Sequence, residues 1–365
     1  MSKVRIVDIA KFAGVSPGTV DRYLHQRGRI SQEAKEKIRK ALEILDYQPN
    51  IVARSLSSKK TFKIAVIVPQ YNKDAFWQEQ VKGIKRAIRF IKDFGFNVDI
   101  YSFDDQSSGA LMELSKKIDL SNYTAVVIAP TSKKEAKLFF DKCEENGLPY
   151  IQINSYIERE SKKFLGYVGQ DSFTSGQLAA KLLDISTPDN TDFLLLHLEK
   201  DVDNSEHMIA KEKGFKSYVD KQGHNRKVIV KWLPEYDDSD LLEKRVSDIL
   251  EKEKDINGIF VTTSRISYLA TILFKQTKLD ISLVGFDLVP SNIDFLSHFK
   301  RMFLINQNPS LQGYYSLMQI FNSFIKKQKI KKKMYLPLDI ITHENVQNYS
   351  HISYRDSNEL AEPNL

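Results

Sequence analysis

From residue 63 to residue 306 the chain repeats one pattern nine times: a short apolar run, a polar or aromatic turn and, between most of them, a helical stretch. The runs are KIAVIV (63–68), VDIYSF (98–103), AVVIAP (125–130), PYIQIN (149–154), FLLLHL (193–198), VIVKWL (228–233), GIFVTT (258–263), ISLVGF (281–286) and MFLIN (302–306). After the first run, Val81, Ile84, Ile88 and Ile91 recur by three and four, the mark of an amphipathic helix. Runs that are mostly apolar read as strands covered on both faces, and strands alternating with helices make parallel sheets. Nine runs are more than one ordinary sheet holds and predict two doubly wound parallel-sheet subdomains, an α/β body.

In open α/β sheets, ligands bind outside the carboxyl ends of the strands. Those ends carry Tyr71, Asn72, Phe76 and Trp77; Asp104, Asp105 and Gln106; Thr131 and Ser132; Asn154; Asp171; Thr263, Ser264 and Arg265; Asp287; and Gln307. Carboxylates and amides accept from or donate to hydroxyls, and an aromatic face covers the C–H side of a sugar ring. The same residue types also cap turns, so the residues alone leave both roles open.

The first sixth of the chain follows another rule. In VDIAKFAGVSPGTVDRYLHQRGR (7–29), Ile6, Ile9, Ala10 and Ala13 form one helical face, and Gly14 supplies the left-handed end. Ser16 caps a second helix that Pro17 opens, with Val20, Tyr23 and Leu24 inward and Gly18, Asp21, Arg22 and His25 on the opposite stripe. A third helix starts near Ser31 and turns Ala34, Ile38, Ala41, Leu42 and Leu45 to the core. Two short helices joined by a tight turn make a helix-turn-helix, whose second helix enters the DNA major groove. Arg22 has the geometry to donate twice to guanine. Asp21 either accepts from a cytosine amine or pairs with Arg22 or His25. YQPNIVARSLSSKKT (47–61) predicts a short helix from Asn50 to about Leu56, or an ordinary linker.

Charge agrees with that division. Residues 1–60 hold 13 Lys and Arg against 6 Asp and Glu, and the remaining residues hold 41 of each, so the entire net charge of +7 sits in the head. A basic head on a neutral body is the footprint of a polyanion-binding module. FIKKQKIKKKM (324–334) is read as a solvated helix end rather than a second such site. The single cysteine, Cys143, excludes a disulfide framework, and the seven histidines show no metal-spaced pair. No phosphate-cradling loop, zinc-protease motif or nucleophile elbow is present, so neither cofactor nor metal is expected. There is no apolar run long enough to cross a membrane, and MSKVRIVDIAKFAG lacks the apolar core of a secretion signal, which together predict a cytoplasmic protein.

DIAKFAGVSPGTV, ISQEAKEKIRKALEILDYQPN and ARSL make residues 4–56 resemble the DNA-binding head of the lactose-repressor (LacI/GalR) family. The likeness continues more loosely through VVIAPTSKKE, IQIN, YVGQDSFTSGQLAAKLL, VGFD and INQ, which resemble the periplasmic sugar-binding-protein fold. It implies base-reading positions at Pro17, Gly18 and Arg22, and backbone-contact or capping positions at Ser16, Thr19 and Asn50. It also implies a hinge with Ala53, Arg54 and a minor-groove wedge at Leu56. Asp21 and Gly18 depart from the family pattern. In the body it implies ligand contacts at Asn72, Phe76, Trp77, Asp104, Asn154, Asp287 and Gln307. Ile209 or Lys211 stands where many sugar-binding relatives carry arginine, and Thr263-Ser264 followed by Arg265 replaces an Asn-Asp pair. Thr263 and Arg265 are therefore added as candidate contacts. Lys211 or Arg265 either meets a ligand carboxylate or phosphate, or is a solvated surface cation.

The expected division is a helix-turn-helix domain (1–48), a hinge (49–61), a sensor (62–350) and a tail (351–365). The sensor divides into 62–171 plus 308–338 and 172–307 plus 339–350, crossing near Asp171, Gln307 and Pro337. The predicted function is a dimeric transcription regulator, a repressor by family habit. It binds a palindromic double-stranded operator under control of a carbohydrate or related small molecule. The rivals are a solute-binding module and a sugar-modifying α/β enzyme.

Overall fold

A computed structural model describes residues 4–24, 27–47, 60–223 and 226–349. His25, His224, Asn50, Ala53, Arg54, Leu56 and the tail 351–365 lie outside the described residues. The chain divides into two compact units, Met1–Lys59 and Lys60–Leu365.

The head contains α1 (Ile6–Ala13), α2 (Pro17–Leu24) and α3 (Gln32–Ile44). Ile9, Ala10, Ala13, Val20, Ile38 and Ala41 close one apolar core. Gly14 ends α1 in the left-handed region, with φ 65°, where a β-carbon would strain the backbone. Ser16 Oγ accepts from the Thr19 amide at 3.1 Å and Ser31 Oγ from the Ala34 amide at 3.3 Å, so both hydroxyls satisfy first-turn donors.

The body begins with β1 (Phe62–Pro69), α4 (Ala75–Ile91), β2 (Phe96–Phe103), α5 (Ala110–Lys117), β3 (Ala125–Ile128), α6 (Lys133–Glu145), β4 (Tyr150–Ile153) and β5 (Phe164–Gly169). It continues through α7 (Ser172–Ser186), β6 (Asp192–His197), α8 (Glu206–Gln222), β7 (Val228–Trp232), α9 (Ser239–Lys252) and β8 (Ile256–Val261). Then follow α10 (Ile266–Lys275), β9 (Ser282–Phe286), the short α11 (Pro290–Ile293), β10 (Met302–Asn306), α12 (Pro309–Phe324), β11 (Lys333–Tyr335) and β12 (Asp339–Ile341).

These strands form two six-stranded sheets, ordered β11-β5-β4-β3-β1-β2 and β12-β10-β9-β8-β6-β7. Each repeats the doubly wound order in which the chain reverses beside its first strand, β1 or β6. That reversal opens a crevice at the strand ends. Ile64, Val66 and Val68 of β1 face the core under α4 and α12, while Ala65 and Ile67 face the core under α5 and α6. Both faces are covered, which is why the run carries no polar alternation.

Three strands go beyond the nine expected. β5 contains Gly166 and Gly169, which interrupt its apolar run, and β11 and β12 have three residues each. β11 joins β5 in parallel, whereas β12 pairs antiparallel with β10. The lysine run 324–334 is solvated as expected, its six lysines exposed, and it runs on from the helix end into β11. α12 stops at Phe324, the Lys331 amide donates to Gln319 Oε1 at 2.9 Å, and Lys333 enters β11 with its ammonium 4.2 Å from the Tyr156 ring centre.

Each lobe has one tight helix crossing. A β-carbon on Gly83 of α4 would fall on the Ser310 carbonyl of α12, and one on Gly313 would fall on the Gln80 carbonyl. In the other lobe, Gly176 of α7 and Gly214 of α8 press in the same reciprocal way on the carbonyls of Lys211 and Phe173. α7 and α12 each begin just after the chain has passed to a new sheet or back. The seams therefore fix the cleft-bearing helices α4 and α8 to the segments that join the lobes.

Candidate functional site

The carboxyl ends of the two sheets of the body face each other across a cavity of about 450 Å³. The first lobe contributes the start of α4. Asp74 caps it, its Oδ1 accepting from the amides of Phe76 at 2.9 Å and Trp77 at 3.3 Å. The cap aims Phe76 and Trp77 at the cavity, their rings packed edge to face at 4.9 Å. Trp77 is only 6% exposed and also belongs to the core under α4 and α12, so one side chain serves both packing and lining.

The second lobe contributes a dense polar lattice. Lys211, from α8, is 1% exposed. Its ammonium donates to the Thr262 carbonyl at 2.8 Å and to Gln307 Oε1 at 3.4 Å, and it sits 3.4 Å from the centre of the Phe286 ring. Asp287, at φ 67° and 1% exposed, accepts from the Gln307 amide at 3.1 Å and from the Gln307 side chain. Burial pushes the Lys211 ammonium down and the Asp287 carboxyl up from their usual ranges, and their mutual attraction opposes both shifts. Lys211 is therefore no surface cation.

Arg265 is held as firmly. It forms a 3.0 Å ion pair with Glu199, donates to the Leu198 carbonyl at 3.1 Å and stacks 4.5 Å from the centre of the Tyr236 ring. Thr263 is buried and its hydroxyl accepts from the Arg265 amide at 3.4 Å. Both cations line the cavity while engaged by protein acceptors. Behind this lattice, His197 bridges Thr262 Oγ1 at 3.0 Å and Glu212 at 2.8 Å. That hydrogen bond, with Lys216, draws the Glu212 carboxyl down to about 2.

Asn154, Phe76, Trp77, Thr263, Arg265, Asp287 and Gln307 all line the cavity. Asn72 and Asp104 do not. Asn72 is exposed, and its carbonyl accepts from the Gln78 side chain at 3.2 Å. The Asp104 carboxylate closes its own turn, taking the Gln106 amide at 3.1 Å and the Ser107 hydroxyl at 2.6 Å. The next residue, Asp105, in the turn that follows β2, lines the cavity instead. Burial pushes the Asp105 carboxyl up to about 6; Glu199 and Asp74 add to the shift and Arg265 opposes it.

Sequence reasoning also missed Asp74, Glu199 and His207. Asp74 was legible as a cap before an apolar helical face, and Glu199 as the first residue beyond an apolar run. Nothing in the sequence marked His207. Its Nδ1 is buried without a hydrogen-bond partner, and burial followed by the nearby Lys211 lowers its pKa to about 3. At the rim the lobes touch. Lys133 forms an ion pair with Glu206, its amide donates to the Asn204 carbonyl at 2.9 Å, and Tyr236 donates to Gln106 Oε1 at 3.0 Å. Cys143 is on the buried face of α6, its thiol pushed up to about 12, and does not line the cavity.

In the head, Pro17, Gly18 and Arg22 are exposed on α2, and Asp21 and Thr19 are half-buried. Arg22 lies back along its helix, Nε donating to the Gly18 carbonyl at 3.2 Å and the terminal nitrogen reaching Thr19 Oγ1 at 3.4 Å. Ser16 and Thr19 hydroxyls meet at 2.8 Å. On α3 the charges cancel locally through Lys37–Glu33 and Arg39 with Glu36 and Glu43. Arg22, Arg27 and Arg29 make no ion pair with any described residue. Positive charge without an ion pair among the described residues thus stands at and just beyond α2, and also at Lys11, Lys35 and Lys40.

Residues 5–50 match the family described as bacterial regulatory proteins, lacI family, and residues 64–328 match the periplasmic binding protein domain. The chain belongs to the lacI family of bacterial regulatory proteins. This lacI-family regulator is 22% identical to a ribose operon repressor of Lactococcus lactis over 94% of its own length and 98% of the relative's. It is 26% identical to a sucrose operon repressor of the same species over 78% of the chain and 83% of the relative. A solved Bacteroides fragilis chain assigned as a LacI transcriptional regulator superposes with a TM-score of 0.72 at 26% identity, over 80% of this chain and all of that one. As a lacI-family member the protein is a DNA-binding transcriptional regulator, with a helix-turn-helix head and a two-lobed ligand-binding body.

Proposed function

We propose that this regulator is a homodimeric repressor that binds a palindromic operator in the cytoplasm, and that a small carbohydrate-like effector in the body cleft sets its operator affinity. The cleft carries the reading. An aromatic wall formed by Trp77 and Phe76, with Asp105 and Asn154 in the same lobe, faces Asp287 and Gln307 of the other lobe across a cavity of about 450 Å³. Names of relatives that govern ribose and sucrose operons point to the same ligand class. Effector and operator are two distinct sites, so their coupling is reciprocal: whatever the effector does to operator affinity, the operator does to effector affinity.

In the head, Pro17, Gly18 and Arg22 read bases while Ser16 and Thr19 position the helix. Asn50, Ala53, Arg54 and Leu56 supply the hinge contacts, with Leu56 as the wedge that kinks the operator. A solute-binding module would have no use for a basic helix-turn-helix.

Removing residues 1–59 tests the division of labour. The truncated body should retain effector binding and lose operator binding altogether. In the full chain, log operator affinity should fall with log salt by about 0.9 per neutralised phosphate. A truncated body that still retards operator DNA contradicts the assignment.

A further inference from the structure

Six carboxylates, Asp74, Asp105, Glu135, Glu199, Asp201 and Asp287, line the cavity against four cations, Lys134, Lys200, Lys211 and Arg265. Glu135 is taken up by the Gly109 and Leu111 amides, Asp201 by Asn204, and Lys200 by Asp237. Glu199 is taken up by Arg265, and Asp287 by Gln307 and the nearby Lys211. Asp105 is left over. Its carboxylate is met by its own backbone N–H and, among the described residues, by no side-chain hydrogen-bond donor, while Asp74 and Glu199 repel it. Asp74 Oδ1 is occupied by backbone amides, but no donor faces its second oxygen among the described residues. The cavity therefore holds a surplus of negative charge at one place, the first-lobe wall beside Trp77.

The neighbouring side chains sharpen the point. His207 is kept neutral by burial and by Lys211, so it brings no competing charge, and its Nδ1 has no partner. The Lys211 ammonium and Nη1 of Arg265 are already engaged by protein acceptors. An anionic ligand at the Trp77 wall would meet two uncompensated carboxylates, the exposed Lys134 being the one lining cation with neither an ion pair nor a hydrogen bond among the described residues. A neutral sugar would strip water from Asp105 without returning charge, which in a low-dielectric cleft is unfavourable. A ligand ammonium placed at Asp105 relieves both deficits.

Resting on the sensor reading above, we infer that the effector is a polyhydroxylated amine, an amino sugar or an iminosugar, whose ammonium binds Asp105 and the outer oxygen of Asp74 while its apolar face lies on Trp77. The effector's hydroxyls are left to Asn154, Asp287 and the unpartnered His207 nitrogen.

Calorimetric titration of the full chain at pH 7.5 tests this with matched sets on one skeleton: glucosamine, glucose, N-acetylglucosamine and glucuronate, then 6-amino-6-deoxyglucose and 1-deoxynojirimycin. An amine member should bind at least about tenfold tighter than its hydroxyl counterpart, the strength of one charge-assisted hydrogen bond. N-acetylation, which keeps the nitrogen and removes the charge, should abolish the gain. Asp105→Asn should erase the preference for the amine, and Asp74→Asn should reduce it, with apo melting temperatures checked on the same preparations. Amine affinity should fall as pH drops below about 6, where Asp105 takes up a proton. Equal or better binding of neutral or uronate members overturns the inference while leaving the sensor reading in place, as does an amine preference that survives Asp105→Asn. Absence of binding by every member overturns both.

Discussion

The two lobes of the body share a scaffold and differ in chemistry. Both run the same strand order, and both lock a cleft-bearing helix to a lobe-joining helix through a reciprocal glycine seam, Gly83 with Gly313 and Gly176 with Gly214. Yet the second lobe presents a finished lattice, in which Lys211, Asp287, Gln307, Arg265 and Glu199 satisfy one another. The first lobe presents an aromatic wall and carboxylates with capacity to spare. Secondary-structure order is set by which apolar faces must be covered, and that demand is the same in each half. The loops at the strand ends are under no such demand, so chemistry can diverge there without disturbing the frame. A preassembled lobe facing an unsatisfied one suits a cleft whose ligand completes the charge balance.

The largest expected asymmetry is in stability. Lys211→Met should cost about 3–5 kcal/mol, because it leaves Asp287 as a buried charge beside an undersupplied lattice. Asp105→Asn, which removes a carboxylate that has no partner to lose, should be neutral or stabilising. Urea denaturation of both variants at pH 7 checks this, and equal losses would erase the distinction between the lobes.

The shared scaffold should respond alike. Gly83→Ala and Gly176→Ala each push a methyl group into a backbone carbonyl across a helix crossing, so each should cost about 1–3 kcal/mol. A large cost in one lobe alone would show that only one seam is structurally tight.

The subtlest difference is in pH dependence, where the lobes have opposite signs. Asp105 in the folded protein titrates near 6, above its unfolded range near 4, so the folded state binds the extra proton between those values. Its contribution therefore weakens stability as pH rises from about 4 to 6, on the order of 3 kcal/mol at most. Glu212, drawn down to about 2 by His197 and Lys216, contributes stability that is present above about 4.5 and lost as pH falls toward 2. Its half-open position and solvent screening make that contribution the smaller. Melting temperatures of Asp105→Asn and Glu212→Gln across pH 3–7 should each flatten a different limb of the wild-type curve.

Much of this architecture is written locally. Gly14, Ser16, Pro17 and Ser31 mark the head helices because capping depends on a few adjacent residues. The nine apolar runs announce the sheets because a strand buried on both faces cannot hide its composition. The basic excess of residues 1–60 needs only counting. Strands β5, β11 and β12 were illegible for the converse reason. Glycines broke the first, and three-residue strands gain their place from partners far along the chain rather than from their own pattern.

The cleft was legible as a region and not as a geometry. Strand-end position selected Trp77, Asn154, Asp287 and Gln307, but it could not separate Asp104 from Asp105, because the choice rests on which carboxylate the turn consumes. Nor could it tell that Lys211 is buried, that Arg265 is spent on Glu199, or that His207 has an unpartnered nitrogen. Those outcomes depend on groups that the crossovers bring together from sequence separations of tens to hundreds of residues. Residue type fixes what a side chain is able to donate or accept, whereas only the packed structure decides which of those capacities is already used.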